Sequence, residues 1–266
     1  MNSAVRGILA IGIAVACAVA GVGVAAQLTP ALPSAEPVAA VTVEVVQTAT
    51  ANPAAPPAPA ASPLGINLEE RSIDDPDSVW VVVNKTRPLD PKDHEPDGLT
   101  ALRLPGNGGA QLTSTAAQAL HRMYDDAEAA DAAFRISSGF RSYGFQQGIY
   151  GNYVATRGRA TADTFSARPG YSEHQTGLSV DLYDPAGCHL QRCYADTPSG
   201  TWVAKHAADY GFIIRYPEGG SEITGYKWEP WHLRYVGTDL ARYMRDEDIL
   251  TMEEVFGLPA APDYLD

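Results

Sequence analysis

Hydrophobic and polar positions divide the chain into three regions of different pattern. Residues 7–26 (GILAIGIAVACAVAGVGVAA) are apolar and uncharged. Residues 27–63 hold eight prolines and eleven alanines, a composition that cannot bury a core and favours extended, polyproline-like backbone. From about residue 67 onward, apolar residues recur at helix and strand spacings. Between Thr113 and about Ala133, Ala116, Leu120, Met123 or Tyr124, Ala127 and Ala130 lie three or four apart, which predicts an amphipathic helix capped by Thr or Ser. Phe145 to Thr156 reads as a second helix closed by Gly158, and Thr201 to Tyr210 as a third stopped by Gly211. A short helix starts at Thr238, and Thr251 with Glu254 predicts a capping box for a terminal one. Strands are predicted at Trp80–Val83, Phe134–Ser137, Leu178–Leu182, Phe212–Tyr216 and Lys227–Tyr235, with Asp90 to Gly98 a loop. Helices and short strands mix without a βαβ period and without Gly-x-Gly-x-x-Gly. The predicted class is α+β, one small sheet with helices packed on it.

Composition narrows the partners and the compartment. The 266 residues carry 19 Lys and Arg against 32 Asp and Glu, a net charge of -13 that repels nucleic acid and anionic lipid headgroups. Before residue 67 the only basic residue is Arg6 and the only acids are Glu36 and Glu44, so the excess sits on the C-terminal region, a domain of about 200 residues. Residues 1–26 read as a secretory signal with Val24-Ala25-Ala26 before a cut at Gln27, or as a membrane anchor long enough for a hydrocarbon core of about 30 Å. A lipid anchor through Cys17 is disfavoured by Ala14, where a larger aliphatic belongs. All three readings place the domain (67–266) outside the cytoplasm, with 27–66 as its spacer. The other two cysteines, Cys188 and Cys193, are close enough in sequence to close a small loop by disulfide in an oxidising compartment; the rival is a metal pair with His189.

Among the six histidines, His94 sits in a Pro/Asp loop and His121 and His206 in helical stretches, whereas His174 and His232 have chemical company. His174 lies in a polar turn before the strand that carries Asp181, and His232 lies in Glu229-Pro230-Trp231-His232. Two histidines and an aspartate suit zinc and leave a fourth position for water, with Glu229 placed to take that water's proton. The alternative is that Asp181 caps a turn and the histidines satisfy local hydrogen bonds. In Ser137-Ser138-Gly139-Phe140-Arg141-Ser142, small hydroxyls and a glycine surround one arginine, whose planar fork suits a carboxylate. A surface arginine paired with one of the many acids is the plain reading.

Four stretches carry a resemblance: Val83-Asn84-Lys85 through Pro88-Leu89 with Asp97-Gly98-Leu99; Ser138-Gly139-Phe140-Arg141-Ser142 with Gln146; Ser172-x-His174-x-x-Gly177-x-x-x-Asp181; and Glu229-x-Trp231-His232 with Arg234-Tyr235-Val236-Gly237. Together, over roughly residues 80–237, they resemble the zinc D-alanyl-D-alanine carboxypeptidases of the VanY type, relatives of the VanX dipeptidases in peptidase family M15. The resemblance implies the hedgehog/DD-peptidase type of fold, a single domain with a mainly antiparallel sheet flanked by helices. It implies one Zn2+ on His174, Asp181 and His232, Glu229 as general base, and Arg141 near the scissile carbonyl or terminal carboxylate. It places Ser137, Ser138 and Gln146 on the pocket lining. The commonest third motif has Ala where this chain has Ser179; strand alternation puts Ser179 on the face of Asp181, so its hydroxyl is expected to support that carboxylate. The Cys188–Cys193 loop is expected to be a local brace outside the motif. The implied reaction is removal of the terminal D-alanine from peptidoglycan stem peptides by a monomeric enzyme, secreted or tethered through residues 7–26. L,D-carboxypeptidase or endopeptidase action with the same metal site is the alternative. A non-enzymatic wall-binding module and a stalked surface structural protein are readings of a different class.

Overall fold

The computed structural model describes residues 65–265, so the expectations for residues 1–64 lie outside the described residues. In chain order the elements are β1 (Leu99–Ala101), β2 (Gln111–Thr113), α1 (Ser114–Ala129), β3 (Arg135–Ser138), α2 (Tyr143–Arg157), α3 (Arg159–Ala162), β4 (Ser179–Tyr183), α4 (Pro198–His206), β5 (Phe212–Ile214), α5 (Ser221–Thr224), β6 (His232–Tyr235), α6 (Thr238–Asp246) and α7 (Met252–Val255). Strands β1 and β2 pair antiparallel by themselves; the main sheet is antiparallel in the order β3-β4-β6-β5. The chain is thus α+β, as the mixed periods predict. Among the described residues, no helix is long and apolar enough to cross a membrane.

The two central strands divide their faces by chemistry. Val180 and Leu182 of β4, with Leu233 and Tyr235 of β6, enter the main core against the Ala116, Leu120, Met123 and Ala127 stripe of α1. The alternate residues, Ser179 and Asp181 opposite Arg234 and His232, are also buried but polar. A sheet that hides polar groups on its second face must pair them there, and this is where the site forms. Strand β3 contributes through a bulge. The register shifts between Ile136, which opposes Leu182 in the core, and Ser138, which opposes Asp181. The extra residue re-aims Ser138 onto the polar side.

Trp80–Val83, predicted as a strand, joins no sheet and opens in a turn, the Val81 amide donating to the Ser78 carbonyl (3.1 Å). Its alternation instead splits it between two cores: Val81 and Val83 pack in the main cluster, Trp80 and Val82 in a second one with Leu240, Met244, Met252 and Val255. The Val82 amide donates to the Ile73 carbonyl (2.9 Å), and side chains satisfy the carbonyls. Arg234 Nη2 donates to the carbonyls of Val79 (3.1 Å) and Val81 (2.8 Å), and Arg87 Nε to that of Val82 (3.2 Å). Ile66, assigned to the spacer by composition, packs against the second cluster.

Other boundaries shift for local reasons. Helix α1 ends at Ala129, before the predicted Ala133, because Asp131 takes a left-handed conformation (φ 55) and leaves Ala130 exposed. Helix α4 starts earlier than predicted, at Pro198, capped by Thr197 Oγ1, which accepts from the Gly200 amide. Its last turn tightens to a 3-10 form over Ala207–Tyr210 before Gly211 (φ 86). The predicted strand from Lys227 begins only at His232; Pro230 lacks an amide for the ladder, and a turn closes from the His232 amide to the Glu229 carbonyl (3.0 Å). The capping box of Thr251 and Glu254 forms in both directions.

Candidate metal centre and its cavity

Each ligand candidate is delivered by a separate element. His174 sits on a one-turn 3-10 segment (Glu173–Thr176) that Gly177 ends in a left-handed conformation (φ 65). Asp181 lies mid-strand on β4, directly opposite His232 at the start of β6. Ligand atoms of the three lie within 4.8 Å of one another, and all three residues are buried. His174 Nδ1 lies 2.7 Å from the Gly139 carbonyl, which fixes the N–H there and leaves Nε2 as a lone pair. That carbonyl is available because residue 139 is glycine: a Cβ would fall 2.5 Å from the Gln111 carbonyl oxygen.

The geometry asks for a cation. His174 Nε2 lies 3.2 Å from Asp181 Oδ2, a lone pair against a carboxylate oxygen, and it has no hydrogen-bond partner. His232 turns Nδ1 toward Asp181 Oδ1 (3.1 Å) and Glu229 Oε2 (3.9 Å), and Nε2 toward Glu173 Oε2 (3.7 Å). Two imidazoles and a carboxylate at this spacing, buried and incompletely satisfied, fit a borderline divalent cation. Ser138 Oγ donates to Asp181 Oδ2 and steadies the carboxylate. Ser179 does not, contrary to the expectation from strand alternation. Its Oγ donates to Glu173 Oε2 (3.4 Å), because Glu173 lies over the sheet between β4 and β6.

Protonation follows from burial and neighbours. Burial, reinforced by the Arg141 charge, pushes His174 down to about 4 against the pull of Asp181. Burial alone would lower His232, but Asp181, Glu173 and Glu229 raise it to about 9. A cation bound there would compete with a proton for His232. Burial would raise Asp181, yet the two histidines hold it well below the usual carboxylate range. Glu229 is pushed up to about 7, chiefly by burial, with the Asp181 charge adding to it and His232 and Arg141 opposing.

Behind the centre lies a buried charge network that the sequence reading missed. Glu173 Oε1 accepts from Arg215 Nε and Arg234 Nη1, both at 2.8 Å. Arg215 also makes a bidentate pair with Glu253 (2.8 and 2.9 Å), whose Oε1 accepts in addition from Asn84 Nδ2 (2.9 Å). Both arginines are 0% exposed. Burial would raise Glu173, but the two guanidiniums hold it far below the ordinary range. The available signal was an arginine within each of the apolar runs FIIRY and HLRY, where a strand's inward positions hold a charge only if it is paired.

The centre opens into a cavity of about 820 Å³ whose wall includes Ser137, Ser138, Arg141 and Glu229. Arg141 is not the acid-paired surface arginine of the plain reading. Its amide donates to the His174 carbonyl (3.1 Å), its Nε is buried without a partner, and among the described residues no carboxylate pairs with it. Gln146 is a correction. It stands behind the wall rather than on it, its amide donating to the Ala167 carbonyl (2.7 Å) and so holding the 166–167 segment that does line the cavity. Cys188 and Cys193 form the predicted disulfide, and His189 stacks edge-on against Tyr183, which rules out the rival metal pair. The loop is more than a brace: Leu190, Gln191, Arg192 and Cys193 form part of the cavity wall. His94 pairs with Asp77, and His206 packs on Trp202, both apart from the metal cluster.

Two histidines and one aspartate around a common point, with a glutamic acid beside them in an open cavity, define a metallohydrolase centre. Comparisons with known proteins agree. The VanY family, D-alanyl-D-alanine carboxypeptidase, matches residues 109–238. YodJ of Bacillus subtilis (strain 168) is 39% identical over 191 residues, 70% of this chain and 69% of that protein. The LD-carboxypeptidase LdcB superposes with a TM-score of 0.65 at 39% identity, over 68% of this chain and 87% of that one. VanYB, solved with D-alanine-D-alanine, superposes with a TM-score of 0.57 at 30% identity, over 68% of this chain and 97% of that one. The chain belongs to the VanY-type D-alanyl-D-alanine carboxypeptidase family of metal-dependent hydrolases.

Proposed function

We propose that this chain is a zinc D-alanyl-D-alanine carboxypeptidase that removes the terminal D-alanine from peptidoglycan stem peptides. The observation that carries the reading is the pairing of an acid-capable Glu229 with the His174, Asp181 and His232 cluster on one wall and an unpaired Arg141 beside it. A zinc ion held by those three residues supplies Lewis acidity for the scissile carbonyl and lowers the pKa of water. Glu229, with a pKa near 7, takes the proton from water and returns it to the leaving amine. Arg141 presents its guanidinium to the substrate's terminal carboxylate or to the oxyanion of the tetrahedral intermediate. Ser137 and Ser138 offer hydroxyls on the same wall, Ser138 with its proton already committed to Asp181. Gln146 acts by holding the wall. The disulfide supports an oxidising, extracytoplasmic setting, reached by export or by anchoring through residues 7–26.

A second reading, L,D-carboxypeptidase action, is favoured by the 39% identity to LdcB against 30% to VanYB. Both reactions release a C-terminal D-alanine and differ in the configuration of the residue before it. Mass spectrometry of pentapeptide and tetrapeptide stems incubated with the full chain separates them. Loss of one alanine from the pentapeptide supports D,D action; loss only from the tetrapeptide keeps the mechanism and overturns the D,D assignment.

A further inference from the structure

We propose that the rim of the cavity is a second recognition site, one for carboxylates that the substrate bears upstream of its scissile bond, with Arg192 as the principal contact. The inference rests on the carboxypeptidase reading for the identity of the substrate but on different residues. Burial separates a floor from a rim. The acids that line the cavity, Glu173, Asp181 and Glu229, all belong to the metal centre or the network behind it. The exposed charged residues that line it are Arg157, Arg192 and Lys227, with no Asp or Glu among them. On a chain with 32 acids and 19 bases, an outer wall holding only cations is a departure from the surface as a whole. Among the described residues, Arg192 and Lys227 form no ion pair, whereas Arg157 lies over the rings of Tyr153 and Phe165.

The loop that carries Arg192 is built to hold still. The Cys188–Cys193 bond closes it, and an isolated bridge pairs Asp184 with Gly187 at its base. Cys188 (φ 56) and Leu190 (φ 50) take the left-handed region, which non-glycine residues adopt uncommonly. A backbone closed before binding leaves only the Arg192 side chain to order when it meets its partner. The apolar surface of the rim fits the same ligand. Phe145 (60% exposed) and Leu190 (39% exposed) both line the cavity, and each offers cover for aliphatic side chains between the charged groups. The chemistry selected is a peptide with free side-chain carboxylates in preference to the same peptide with those groups amidated.

Because the rim is exposed, the preference is modest and screened by salt. The test measures calorimetric affinity of the zinc-loaded Glu229→Gln full chain for two peptides ending in D-Ala-D-Ala, one with free upstream carboxylates and one amidated there. The free-acid peptide is expected to bind about threefold to tenfold tighter at low ionic strength, with the ratio falling toward one above about 0.3 M salt. Arg192→Ala, and separately Cys188→Ser with Cys193→Ser, should bring the ratio toward one at low salt. Equal affinity of the parent for both peptides overturns the proposal, as does an Arg192→Ala variant that keeps the full ratio. Hydrolysis by the unsubstituted protein is read in parallel. A binding preference without D-alanine release from either peptide retains this site and sinks the D,D-carboxypeptidase reading; release from both without a preference does the reverse.

Discussion

Glu229 and Gly139 show how much rests on single residues. Glu229 acts as a base only when ionised, so with its pKa raised to about 7 the rate is full above that value and is lost as pH falls through it. A divalent cation beside it favours the anion, so kcat/KM should show an acid limb at or below about pH 7 in the loaded enzyme. Glu229→Gln should keep fold and zinc while slowing hydrolysis by about 10² to 10⁴ and removing that limb. Parallel loss of metal and activity would make Glu229 structural instead. Gly139→Ala tests the support of His174. The added methyl must displace the backbone from Gln111 and carry the Gly139 carbonyl away from Nδ1. Zinc affinity, measured by competition with a chromophoric chelator, should fall about 10- to 100-fold, and an unaltered affinity would remove Gly139 from the account. At this scale the His174, Asp181 and His232 cluster was legible because two separated motifs of the family resemblance carry those residues. The Glu173 side chain was not, since nothing local distinguishes it from a solvated acid; its role comes from Arg215 and Arg234, which only the folded sheet brings near.

That network is the device that joins elements. It ties the His174 turn to β6, to the residue after β5, to α7 through Glu253, and to the Trp80–Val83 segment through Arg234. Glu173→Gln leaves two buried guanidiniums short of a countercharge, and we expect a loss of about 3–5 kcal/mol in chemical denaturation. A loss under about 1 kcal/mol would contradict the network's part in stability. The carboxylates Glu173 and Glu253 both have depressed pKa values in the folded protein. Their contribution is complete above the unfolded-state value of about 4.3 and is lost as pH falls through the lower folded values. The denaturation midpoint should therefore decline steeply below about pH 4, and a flat midpoint down to pH 3 contradicts the network's role. Legibility at this scale tracked self-sufficiency. Strand β4 was readable from its own alternation, and α7 from its capping box. The Trp80–Val83 segment has the period of a strand, but period reports which side chains are buried and not what the backbone pairs with, which here includes the Ile73 carbonyl and the Arg234 guanidinium. Strands β1 and β2, at three residues each, are too short for any period to register.

At the scale of the molecule, an acid-rich chain forms a cavity whose floor holds the His174, Asp181 and His232 cluster and whose rim is basic. The sheet makes this possible by turning one face to the core and burying paired charge on the other. The disulfide loop shows what sequence alone does not reveal: its closure was predictable from two nearby cysteines, but its place on the cavity wall depends on where the chain runs after β4. The central claim is hydrolysis of a terminal D-alanine that depends on a cation at His174, Asp181 and His232. Its most direct test is D-alanine release from a D-Ala-D-Ala-terminated stem pentapeptide by the full chain, followed by mass spectrometry before chelation, after chelation and after one equivalent of zinc. The account predicts release that stops with the chelator, returns with zinc, and does not return in a His174→Ala variant. Release that persists in chelator, or that survives in His174→Ala, would contradict it.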